Sequence, residues 1–137
     1  MTRSACFIGV NAIVVRDNKI VLGIRKGAYG DGSWGLPGGH LEFNENMEKA
    51  VARELFEETG MTADSFTFSN VFNNVGDKHY LQIGFIANNP QGEPILKEPN
   101  RCYGWQWFSL DNLPENIVGP HIPQIDAYLK NRNFTDS

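Results

Sequence analysis

The chain has 137 residues, 41% of them hydrophobic and 20% charged, with a formal net charge of -4 and a pI near 5.3. That balance suits one soluble domain over residues 1–137 with a single core. A mildly acidic surface offers no electrostatic footprint for a nucleic-acid polymer or an anionic membrane, so an anionic ligand must be met locally or arrive with a cation. No apolar run approaches the roughly 18 residues of a membrane span. Met1 to Ser4 lack the charged-then-apolar pattern of a signal peptide. Cys6 and Cys102 have no metal-ligand spacing and read as buried, reduced thiols of a cytoplasmic protein.

Cys6 to Val15 is an apolar block that predicts a long strand, and Asp17-Asn18 is a turn signal. Ile20 to Ile24 resumes the pattern, so the two form a hairpin. Gly27 to Gly35 is too rich in glycine for a regular element. Leu36-Pro37-Gly38-Gly39 follows, and its paired glycines let backbone approach a ligand closely. Asn44 is a candidate N-cap for a helix from Glu45 to Thr59, which Gly60 ends. Phe66 to Val71 and Tyr80 to Ala87 read as strands. Asn88 to Asn100 is a polar loop, Trp105 to Phe108 a further strand, and Pro123 to Asn131 a last helix. Irregularly joined strands that outnumber helices predict an α+β class with a mixed sheet between helices.

The helix over 45–59 carries the chemistry. At about 100° per residue, Met47, Val51, Glu54 and Glu58 share one stripe. Its first half is apolar, its second half is carboxylate, and Glu57 flanks it. Like charges three and four apart repel, and the helix C-terminus disfavours them further. A solvated acidic face is the ordinary explanation for such a cluster. Here the cluster continues the core-facing stripe instead of opposing it. A hard divalent cation resolves the conflict, since Mg²⁺ takes carboxylate and phosphate oxygens. Arg53 adds a positive charge that can orient Glu54.

Gly39, Glu45 and the run Arg53-Glu54-Leu55-Phe56-Glu57-Glu58-Thr59-Gly60-Met61 together reproduce the complete Nudix signature, between residues 39 and 61. A chance match is on the order of one in 10⁸ per start position. Outside this box, Gly23 to Gly27, Leu36 to Phe43, His79-Tyr80, and Glu98-Pro99 ahead of Trp105-Gln106-Trp107 resemble the MutT-related group of the family. That group includes a mammalian diphosphatase of oxidised and thiolated guanine nucleotides.

The resemblance implies a Nudix fold, a mixed sheet sandwiched between helices with the box as a loop–helix–loop. It implies hydrolysis of a nucleoside triphosphate to monophosphate and pyrophosphate, with Mg²⁺ as cofactor and Mn²⁺ as a substitute. Glu54, Glu57 and Glu58 would bind the metal, with the backbone carbonyl of Gly38. Glu54 leads as the residue that positions or deprotonates water, and Glu98 is the loop acid that could serve as a further ligand or base. Gly39, Glu45, Arg53 and Gly60 brace the box.

For the substrate, the resemblance favours Arg25 over Lys26 as a phosphate grip, and a solvated pair at a strand end stays open. Gln82 and His121 match positions that line or close a base pocket. Trp34, Phe43, Tyr80, Trp105 and Trp107 are the rings available for stacking, though any one large aromatic is more often core. His40 and His79 have structural roles. ADP-ribose, a dinucleoside polyphosphate or a nucleotide sugar is the alternative substrate class, and a non-catalytic nucleotide sensor is the alternative of a different kind. Related enzymes are often homodimers, and neither a heptad nor an apolar patch in this sequence identifies the surface such a dimer would use.

Overall fold

The computed structural model describes residues 4–27 and 29–137. The N-terminal stretch read above for a signal pattern lies outside them except for Ser4, and so does Ala28 in the glycine-rich loop. Nine strands and two helices follow in the order β1 (Cys6–Ile13), β2 (Val15–Arg16), β3 (Lys19–Arg25), β4 (Trp34–Gly35), β5 (Gly38–His40), α1 (Met47–Thr59), β6 (Ser65–Asn74), β7 (His79–Asn88), β8 (Cys102–Ser109), α2 (His121–Leu129) and β9 (Phe134–Asp136).

The strands form two sheets. One has the order β5-β1-β7-β6-β9, and the other is β2-β3-β4 with β8 on the free side of β3. The first is mixed: β1 pairs in parallel with β7, antiparallel with β5, and β6 pairs in parallel with β9. The expected α+β architecture, with a mixed sheet between helices, is what the chain adopts.

β1 explains the sandwich. Side chains alternate across a strand, so Val10, Ala12 and Val14 pack with Ala50, Val51 and Leu55 of α1. Ile13 points the other way and packs with Ile125 of α2. One strand therefore serves two cores, and both of its faces are closed.

Several boundaries differ from the sequence reading. The first apolar block is not one long strand: it leaves the larger sheet at Val14, and only Val15–Arg16 pairs with β3. Asp17 and Asn18 make the expected turn, both with positive φ, the geometry of a tight two-residue hairpin. The N-cap of α1 is Asn46, whose Oδ1 accepts from the Lys49 N–H, and not Asn44. Asn44 adopts a left-handed conformation two residues earlier. The glycine-rich segment ends in a short strand, β4, because Trp34 and Gly35 pair with Ile24 and Gly23. β9 has no apolar run to announce it. Cys102 is buried as expected, but Cys6 is exposed, with Sγ 3.4 Å from His79 Nδ1. No helix among the described residues is long and apolar enough to cross a membrane.

Gly60 closes α1 at φ 76° and donates its N–H to the Phe56 carbonyl. A β-carbon there would be strained and would stand 3.3 Å from Ile95 Cγ1. Gly60→Ala should therefore cost about 1–2 kcal/mol, read as a lowered urea midpoint at unchanged slope. An unshifted midpoint would mean that the helix end tolerates a side chain.

Candidate functional site

A cavity of about 990 Å³ opens between the C-terminal half of α1, the β1–β5 edge and β7. Its acidic wall comes from α1. Residues three and four apart on a helix are neighbours, so Glu54, Glu57 and Glu58 reach it together. The apolar stripe ahead of them, Met47, Val51 and Leu55, is seated in the core. That seating drags the carboxylates against the sheet.

Two bare backbone positions receive them. A β-carbon on Gly39 would lie 2.5 to 2.6 Å from the Glu54 carboxylate. The Gly38 N–H donates to Glu58 Oε1 at 2.7 Å.

Arg53 organises the rest. Its Nε and Nη2 grip the two oxygens of Glu45 at 2.8 and 3.0 Å, a bidentate pair of the strong kind. Nη1 reaches Glu54 at 3.0 Å and Glu57 at 3.4 Å. The guanidinium holds the Glu45 carboxyl below its ordinary range, and its own pKa is raised in return. Burial lifts Glu54 above the usual carboxylate value, against the pull of Arg53. Glu58 is different. Burial, with Glu54 and Glu98 adding repulsion, pushes it up to about 8, and the Gly38 N–H only partly opposes this.

Among the described residues, no three carboxylate, imidazole or thiol groups stand together as a ready-made metal cage. Arg53 occupies Glu54 and Glu57, and Gly38 occupies Glu58. Arg53 stands beside Glu54, as the sequence suggests, and also reaches Glu57, whereas Glu58 forms no ion pair among the described residues. Gly38 reaches Glu58 through its N–H; the carbonyl expected at the metal is a separate atom of the same residue.

The expected substrate residues converge on the same cavity. Arg25 lines it, anchored by Nε donation to the Tyr29 carbonyl at 2.9 Å. Lys26 also lines it, but Nζ is tied to the Pro99 carbonyl at 2.8 Å and lies over the Tyr103 ring. His121 is buried against the cavity, and its Nδ1 accepts from the Leu36 N–H at 2.9 Å. Burial and nearby Arg25 depress its pKa to about 3, so the imidazole is neutral with its proton on Nε2. Gln82 lines the wall from β7. Glu98 does not: it stands beside Arg101, 4.0 Å away, near enough to act on Glu58 through charge alone.

Of the five rings, Tyr80 and Trp105 line the cavity. Trp105 lies over Gly23 and donates Nε1–H to the Glu58 carbonyl at 3.1 Å. Trp34 is in the second core, edge-on to Phe108. Phe43 is 84% exposed, and Trp107 sits under Arg16. His40 pairs with Tyr80 at the rim. Sequence reasoning misses Asn11, Arg101 and Lys78, all cavity-lining. Asn11 had a signal, a single amide inside the apolar run Val10 to Val15. Arg101 and Lys78 had none, being ordinary surface cations in loops.

Comparison with known proteins assigns the chain that carries this site to a family. The NUDIX domain model matches residues 7–128. The chain belongs to the Nudix family of hydrolases.

An oxidized purine nucleoside triphosphate hydrolase of Danio rerio is 34% identical over 74% of this chain, and the match spans 65% of that relative's own length. An ADP-ribose pyrophosphatase of Methanocaldococcus jannaschii is 33% identical over 92% of this chain and 75% of its own. The crystal structure of a MutT Nudix hydrolase from Burkholderia pseudomallei superposes with a TM-score of 0.85 at 33% identity, covering 90% of this chain and 98% of that one. The helix that closes the box is therefore the Nudix helix, and the fold around it is MutT-like.

Two of the shifted groups in this Nudix site, Glu58 and His121, act on stability in opposite senses. Glu58 holds extra protons in the folded state between its ordinary 4.5 and about 8, so its contribution is lost as pH rises through that window. His121 withholds a proton from the folded state between about 3 and 6.5, so its contribution is lost as pH falls. Above pH 6.5 only the Glu58 effect remains of the two. Cation-free protein should lose stability from pH 6.5 to 8, on the order of 1 kcal/mol, and Glu58→Gln should flatten the slope. Urea unfolding in a chelator across that range checks it; parallel slopes would mean that Glu58 ionises freely.

Proposed function

We propose that the protein is a divalent-cation-dependent hydrolase of nucleoside triphosphates that releases the monophosphate and pyrophosphate. The observation that carries this reading is the pairing of walls in one cavity. Glu54, Glu57 and Glu58 line one side and Arg25 with Lys26 lines another, so a phosphate chain can lie between a cation-binding face and basic side chains. The size suits one nucleotide, since small-molecule sites run to about 1,000 Å³. The name of the Danio rerio relative supports a nucleoside triphosphate substrate, and that of the Burkholderia pseudomallei structure supports hydrolysis.

A hard cation fits this donor set: three neighbouring carboxylates, with Glu58 buried and, among the described residues, in no ion pair, Arg101 acting on it through charge only. Glu54, Glu57 and Glu58 would hold Mg²⁺, or Mn²⁺ in its place, with the Gly38 carbonyl, and Glu98 is the further acid at hand. When bound, the cation neutralises phosphate charge and makes a water more acidic. The remaining work falls to side chains. Glu54, steadied by Arg53, takes a proton from the attacking water. The water oxygen bonds to phosphorus as the bridging P–O bond breaks, and the pyrophosphate oxygen keeps the electron pair. Arg25 stabilises charge on the phosphate oxygens. Gln82 and His121 contact the nucleoside, and Gly39, Glu45, Arg53 and Gly60 hold the frame.

ADP-ribose is the second reading, favoured by the Methanocaldococcus jannaschii relative, whose match covers most of both chains. The two separate in a chromatographic screen for released nucleoside monophosphate with Mg²⁺ over ordinary and modified nucleoside triphosphates and ADP-ribose. Turnover should be highest on a triphosphate and absent in a chelator. Glu57→Gln or Glu58→Gln should lower it at least about a hundredfold, the scale of losing one electrostatic stabiliser. Unchanged rates in both variants would sink the metal assignment.

A further inference from the structure

The cavity has a floor that the hydrolytic chemistry does not use. Asn11 is 4% exposed, in the middle of β1, and its Nδ2 donates to Gln82 Oε1 and to Gln124 Oε1, both at 3.0 Å. Gln124, on α2, is fully buried. A buried amide is costly unless it is hydrogen-bonded. An aliphatic side chain would fill the same place in β1, whose neighbours are Val10, Ala12 and Ile13.

Glycines clear the space. A β-carbon on Gly9 would stand 2.4 Å from Gln82 Oε1, and one on Gly38 would stand 2.4 Å from Asn11 Oδ1. The network therefore lies flat against bare backbone.

An inventory of atoms gives its polarity. Both Asn11 Nδ2 hydrogens are used, so its Oδ1 keeps its lone pairs. Gln82 Oε1 is used, so its Nε2 keeps its hydrogens. Among the described residues neither free atom has a protein partner, and neither is sealed from solvent as Gln124 Nε2 is. Both residues line the cavity, and Gln124 does not. Exchanging oxygen and nitrogen in all three amides would swap the two free groups and still leave one donor beside one acceptor. The charged phosphate grips, Arg25 and Lys26, are separate residues, so this neutral couple is suited to a neutral part of the ligand.

We propose that Asn11 is a specificity-determining residue: with Gln82, and positioned by Gln124, it hydrogen-bonds a nucleobase edge that carries an N–H beside an acceptor oxygen or nitrogen. The proposal rests on the reading of the ligand as a nucleotide. It adds that selection among bases is made by a donor–acceptor couple rooted in β1.

The test is equilibrium binding, with turnover measured in parallel. Guanosine and uridine triphosphates are compared with their N1-methylguanosine and N3-methyluridine counterparts, which lack the ring N–H. The wild type should bind at least one parent roughly tenfold more tightly than its methylated analogue, the scale of one lost hydrogen bond to a buried group. Which parent it is distinguishes a purine site from a pyrimidine site. Asn11→Leu should reduce that ratio to near one. Asn11→Ala, which removes the same acceptor without adding bulk to the buried position, should do so as well, which guards against misfolding of Asn11→Leu. A ratio unchanged in both variants overturns the proposal, as does an equal loss of both ligands at constant ratio, which marks a structural role. Binding with the predicted ratio but without turnover would count against hydrolysis alone. No binding of any nucleotide by the wild type would overturn both readings.

Discussion

Gly38 and Gly39 are successive residues of one strand, so whatever they face lies on opposite sides of the sheet. Gly39 turns its missing side chain to the carboxylate of Glu54, and Gly38 turns its own to the amide of Asn11. Each gap is too narrow for a methyl group. The helix bearing the acids and the floor bearing the amides can both touch β5 only because it is bare there. The Gly38 N–H then fixes Glu58 at the same spot. Pairing with β1 brings this edge to the cavity mouth, so backbone register and the position of the carboxylates are one constraint.

The acidic cluster is held by a graded set of partners. Arg53 gives its bidentate face to Glu45 and its remaining nitrogen to Glu54 and Glu57. Glu54 is the more buried of the latter two, with 12% of its side chain exposed against 50% for Glu57. The same ion pair is worth more at the first than at the second, where solvent screens it. Glu58 receives only a neutral N–H, and its carboxyl is the one driven furthest from its ordinary value. The cluster thus folds with one buried acid, Glu58, that is in no ion pair among the described residues and that burial favours in its protonated form.

The acids could be read from the sequence because they are local. Glu54, Glu57 and Glu58 share one helix, and the period of that helix alone places them together on the end of a core stripe. The class of fold was legible for a similar reason, through runs of alternating residues. What escaped depends on distance along the chain. Asn11 meets Gln82 across 71 positions and Gln124 across 113, and no window over the sequence reports such a pairing. The split of the first apolar block between two sheets was equally hidden, since Val14 looks like its neighbours and only the tertiary pairing shows where the strand changes partners. The N-cap was missed by two residues because Asn44 and Asn46 offer the same chemistry, and only the backbone angles decide between them.

This division between local and distant has a physical consequence for the site. The carboxylates proposed to hold the cation are carried by one short helix, which can be positioned by its own apolar stripe and one arginine. The amide network proposed to meet the neutral part of the ligand is spread over β1, β7 and α2, on the other side of the sheet from that stripe. A change in the amide floor alters Asn11, Gln82 or Gln124 without moving a residue that packs under Glu54 or Glu58. A change in α1 leaves the floor's hydrogen bonds in place. Reaction and recognition meet only at the glycine pair, so the geometry permits selectivity to be altered through β1 while the acidic helix keeps its seat.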